Sequence, residues 1–102
     1  MTNASYDMEW DCDDLPGAVR MAFNYIESKD EIVGCLYLSP RLMKKITVEL
    51  PEEVEFEYIP EGIGMIRTAY IKFKPSIGEN EMRFLNQDKT LQLRVFLKGR
   101  NQ

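Results

Sequence analysis

Carboxylates fall at every second position in two places in this chain. The first run is Asp7, Glu9, Asp11 and Asp13. The second is Glu53, Glu55 and Glu57, with Glu49 placed to extend it. Such groups could bind a divalent cation, work as general acid and base, or attract a basic surface. Spacing separates these uses. Alternate residues of a strand project from one face about 6.6–6.8 Å apart and point in parallel. A calcium loop instead wraps its oxygens around a glycine turn and adds a later bidentate glutamate. Asp11, Asp13 and Asp14 are therefore not expected to hold a metal. A catalytic carboxylate pair needs two acids converging in a pocket with one pKa raised, and alternation does not supply that. Docking remains. Charges at this interval resemble successive phosphates of a nucleic-acid strand and suit a basic protein surface. The competing explanation is an outward sheet face that charge keeps soluble and protects from edge-to-edge pairing.

Other chemistries are closed by composition. The chain has no histidine, so no Ser-His or Cys-His nucleophile and no imidazole metal site can form. The two cysteines, Cys12 and Cys35, are too few for a four-thiolate site, and their apolar surroundings read as reduced, buried thiols. Gly62-Ile63-Gly64 lacks the third glycine and the following helix of a dinucleotide loop. The expectation is a protein that is not an enzyme and takes no cofactor.

Charge is sorted along the chain. Residues 1–64 carry 5 Lys/Arg and 14 Asp/Glu, a net of −9, and residues 65–102 carry 8 and 3, a net of +5. The basic segment holds Arg67, Lys72, Lys74, Arg83, Lys89, Arg94, Lys98 and Arg100, with Tyr70, Phe73, Phe84 and Phe96 among them. Cations interleaved with aromatics suit a single-strand-binding sheet. Nucleic-acid binding is nevertheless not expected, because the net charge is −4 and Phe73 and Phe84 have the apolar neighbours of core residues. An internal use competes: positive strands lying beside negative ones, each cross-strand pair contributing about 0.2–1 kcal/mol.

The elements that would position these groups follow from periodicity. Residues 6–13 alternate, with Tyr6, Met8, Trp10 and Cys12 opposite the acids, and read as a half-buried strand. Asp14 is a helix N-cap and Pro16 sits in the first turn. Leu15, Ala18, Val19, Ala22, Phe23 and Ile26 then make one wide stripe, predicting a helix over 15–28 with Tyr25 flanking it. Residues 32–38 read as a buried strand, and Ser39-Pro40 starts about two helical turns over 41–46. Alternation returns at Val54, Phe56 and Tyr58. Residues 65–74 read as one central strand, and 81–85 with 90–98 as a hairpin turning at 86–89. Trp10, Phe23, Phe56, Tyr58 and the methionines Met8, Met21, Met43, Met65 and Met82 are expected in the core.

One domain spanning 1–102 is expected, since 102 residues suit a single core. The fold class is α+β: one main amphipathic helix on a five- to six-stranded, mostly antiparallel sheet, with an extra short helix. No apolar run approaches the length of a membrane span and no signal-like leader is present, so a cytoplasmic location is expected. The function expected is a non-enzymatic interaction or assembly module. Its charge-polarised surface, at Asp7, Glu9, Asp11, Asp13, Glu53, Glu55 and Glu57, would meet a basic protein or another copy of the chain. The alternative is an acidic decoy that mimics nucleic acid and fills the groove of a DNA- or RNA-binding protein, as small phage inhibitors of host defence do. A third reading is an enzyme using carboxylates with a divalent cation.

Overall fold

Asp14 starts the first helix as its side chain predicts. In the computed structural model, which describes residues 3–55, 64–74 and 76–99, helix α1 spans Leu15–Glu27. The Asp14 carboxylate accepts the Gly17 N–H at 3.1 Å, satisfying one of the donors a helix start leaves over. The predicted stripe is buried throughout: Leu15, Ala18, Val19, Ala22, Phe23 and Ile26 are at most 1% exposed. Helix α2, Pro40–Glu49, runs longer than two turns. Its cap, Ser39, accepts the Leu42 N–H and donates its hydroxyl to the Glu79 carbonyl, so one side chain starts the helix and ties it to the sheet. Leu42, Met43 and Ile46 bury its inner face.

Among the described residues seven strands form one sheet: β1 Ala4–Asp11, β2 Val33–Leu38, β3 Val54–Glu55, β4 Gly64–Ile66, β5 Ala69–Phe73, β6 Glu81–Asn86 and β7 Leu91–Lys98. Their order is β1-β7-β6-β2-β5-β4-β3. The sheet of the described residues is mixed, with antiparallel pairings in the majority as expected, and has one or two more strands than expected. β1 pairs parallel with β7 and β2 parallel with β5, while the remaining four pairings are antiparallel. The pairings fix β1, β2 and β3 in one direction. The two helices are therefore crossovers between parallel strands, and each crossover leaves a gap two strands wide. The β6–β7 hairpin fills the first gap and the β4–β5 hairpin the second.

Residues 65–74 are not one strand. They divide into β4 and β5 at Arg67-Thr68, with Arg67 in the left-handed region at φ 53°. The β6–β7 turn is held by Asn86, which is 1% exposed. Its Oδ1 accepts from Thr90 and Leu91 N–H, and its Nδ2 donates to Glu31 and Thr90 Oγ1.

α1 packs over β1, β2, β6 and β7 and touches α2. Both helices thus cover one face. Phe23 meets Phe84 edge-on at 6.0 Å at the centre of that layer. Leu36, Ile71, Met82, Leu93 and Val95 complete the core from the sheet. Each such large side chain contributes about 1.5–3 kcal/mol on burial. Among the described residues the other sheet face carries no helix.

Candidate functional site

Strand order decides what the two acidic runs can do together. β1 and β3 are the two edges of the sheet among the described residues. Six strand spacings separate them, about 29 Å at ~4.8 Å each. The two runs therefore do not form one plateau. Each is also partly engaged within the molecule. Asp7 accepts from Arg94 Nε and Nη2 at 2.8 Å each, Glu9 lies 3.7 Å from Lys98, and Glu53 lies 3.1 Å from Arg67. The Arg94 hydrogen bonds hold the Asp7 carboxyl below its ordinary range, and Asp7 raises Arg94 in return. Positive β7 beside negative β1 is thus the internal pairing that the charge pattern offered.

The members of the runs separate further. Asp7, Glu9 and Asp11 share the helix-free face of β1. Asp13 lies past the strand end, where Asp11 Oδ1 accepts the Asp13 N–H at 2.9 Å. Glu53 precedes β3, Glu55 belongs to it, and Glu57 lies outside the described residues, as do Phe56, Tyr58 and Arg100. The turn after β1 brings ligand atoms of Asp11, Cys12 and Asp13 within 4.8 Å of one another, which strict alternation would not do. These groups have local work: besides the Asp11 contact, the Cys12 thiol donates to Asp13 Oδ1 at 3.8 Å. Their closeness is that of a turn. Cys12 and Cys35 are both free thiols, and only Cys35 is fully buried.

The middle of the helix-free face is basic and aromatic. Register places Asp7, Arg94, Arg83, Tyr37 and Lys72 in one row across five neighbouring strands. Each arginine is held by its own acid, Arg83 by Glu81 at 2.6 Å and Arg94 by Asp7. Burial pushes the Tyr37 hydroxyl above its usual range, with Cys35 acting in the same direction and Lys89 opposing. Phe73 was expected in the core and is 46% exposed at the C-terminal end of β5.

The helix side of β1 holds what the sequence did not single out. Met8, Trp10, Met21 and Tyr25 line an open groove of about 530 Å³ between β1 and α1. Three of these were expected in the core, yet they are only half-buried. The reason is position: no strand flanks β1 on its outer side among the described residues, so its apolar face is covered from one direction only. Tyr6 stands beside the groove, edge-on to Tyr25 at 5.6 Å, with the Lys29 ammonium over both rings. Trp10 is fixed by its indole N–H, which donates to Asp14 Oδ2 at 3.0 Å. Asp14 thus caps α1 with one oxygen and orients the groove's largest ring with the other.

Backbone direction at β1 completes the surface. Ala4 N–H donates to Thr90 and Cys12 N–H to Lys98, so the even residues turn their amides toward β7. In a parallel ladder the odd ones turn away. Ser5, Asp7 and Glu9 accordingly direct N–H and C=O to the open side. No helix of the described residues is long and apolar enough to cross a membrane. No protein-family model matches the chain, and no curated protein or solved structure matches it.

Proposed function

We propose that the chain is a non-enzymatic protein-interaction module that engages a partner along β1. One observation carries this reading: an eight-residue edge strand has carboxylates on one face and a half-buried Met/Trp/Tyr groove on the other. Long open edges are hazards that proteins shield with charge, bulges or cover. β1 has the charge but leaves Tyr6, Met8 and Trp10 partly uncovered, the composition of a contact surface with aromatic and methionine anchors. Glu9, whose side chain is 70% exposed against 51% for Asp7, is the more available of the two to a basic partner. Self-association is less well supported. The two edges a second copy would offer are both acidic, and the described part of β3 is two residues long.

The test is affinity capture from cells with the wild-type chain, Met21→Glu and Glu9→Lys. A partner held by the wild type and lost from both variants, which should keep their circular dichroism spectra, is the expected result. Equal capture by all three would remove β1 as the contact.

A further inference from the structure

We infer that the partner adds to β1 as an eighth strand, an extended segment alternating Lys or Arg with apolar residues. This deepens the interaction reading above and rests on it. A strand laid against β1 must bond to the outward amides of Ser5, Asp7 and Glu9, which is the geometry of strand addition. Once paired, its side chains alternate between the two faces of the sheet. Those on the helix-free face stand beside Asp7, Glu9 and Asp11. Those on the other face lie over the groove of Met8, Trp10, Met21 and Tyr25. The first set is drawn toward positive charge and the second toward apolar bulk. The chain already contains a partly basic example. β7, Leu91–Lys98, carries Gln92, Arg94, Phe96 and Lys98 on one face and Leu91, Leu93, Val95 and Leu97 on the other, and it occupies the inner side of β1 in the same way. The added strand would repeat on the outside what β7 does within. A second copy's β1 would instead bring acids to acids.

The experiment titrates the full chain with a labelled octapeptide alternating lysine with valine. It reads anisotropy of the peptide and fluorescence of Trp10, the single tryptophan. Saturable binding with a change in Trp10 emission is expected. A peptide N-methylated at every second amide, which keeps the side chains and removes donors, should bind at least about tenfold more weakly, as should a glutamate–valine peptide. Glu9→Pro should weaken binding to the same degree with little loss of thermal stability, because the Glu9 N–H faces away from β7. Met8→Pro, whose N–H faces β7, should destabilise the fold instead. Absence of binding by the lysine–valine peptide overturns the inference. So does undiminished binding by the N-methylated peptide. If Glu9→Pro still captures a partner that Met21→Glu loses, strand addition is wrong and the interaction reading stands. If neither variant changes capture, both fall.

Discussion

Removing the Asp14 carboxylate should affect helix start and groove separately, and two variants can resolve them. In Asp14→Ala the Gly17 N–H loses its cap, worth about 1 kcal/mol. The Trp10 indole also loses its acceptor, a partly solvated hydrogen bond worth about 0.5–1.5 kcal/mol. The sum is about 2 kcal/mol. Domains near this size lose roughly 4–8 °C of Tm per kcal/mol, and the lower part of that range applies to about a hundred residues, giving a fall of about 8–12 °C. Asn caps helices about as well as Asp. Asp14→Asn should therefore keep the cap and lose chiefly the indole contact, a fall of about 2–9 °C. Thermal unfolding by circular dichroism measures the first effect. Trp10 emission reports the second and should shift in both variants, since the ring loses its tether in each. Equal Tm values for all three proteins would refute the capping argument. An unshifted emission in Asp14→Ala would refute the tether.

Three further outcomes follow from the packing and the ion pairs. Gly34→Ala should lower the urea midpoint by the equivalent of about 1–3 kcal/mol with an unchanged m-value, because an added Cβ would lie 2.8 Å from the Gln87 Cα, a backbone atom; an unchanged midpoint would show that the backbone can yield at Gly34, where the β2–β6 register shifts between Val33 and Cys35. Phe23→Ala should cost about 3–5 kcal/mol, since the ring is fully buried, edge-on to Phe84 and under the Arg67 guanidinium; a chemical-denaturation loss below 1.5 kcal/mol would mean that the helix layer closes over the gap. The native Asp7 carboxyl sits below its ordinary 3.8, so its ionic contribution is present above that pH and is lost as pH falls through the native value. The stability difference between wild type and Asp7→Asn should be constant near neutrality and vanish on acidification below pH 3.8; a difference that widens in acid would contradict the Arg94 pairing.

What could be read from the chain was what local chemistry determines. α1 was legible because cap, first-turn proline and apolar stripe all specify the same segment. The β6–β7 hairpin was legible because Asn86 both marks the turn and, once folded, satisfies it. The break between β4 and β5 was not, because Arg67-Thr68 turns the chain without glycine, proline or asparagine, at a positive φ an arginine seldom adopts. The parallel pairs were hidden for a different reason. Short connections suggested antiparallel neighbours, whereas the helices carry the chain over gaps that later hairpins fill. The acidic runs were visible as runs, but their separation is a property of strand order, which no local pattern contains. Met8, Met21 and Trp10 had the phases of core residues, and the edge position of β1 among the described residues leaves them lining a groove.

The edge position also bears on the two explanations of the acids, protection and docking, which need not compete. On β1 the same residues, Asp7 and Glu9, carry the carboxylates and direct their amides outward. Any strand that seeks those amides must place side chains beside those charges. An acidic strand, including another β1, meets like charge on a neighbouring strand, which is destabilising. A basic strand meets attraction in the same register, and its alternate residues find Met8, Trp10 and Met21 beneath them. Charge that blocks self-addition is therefore the charge that would select a partner. Reversing it at Glu9 should do both things at once: weaken a lysine-bearing strand and ease association of the chain with itself. Weakened binding in Glu9→Lys with no new concentration-dependent association in sedimentation would separate the roles and leave the carboxylates with selection alone.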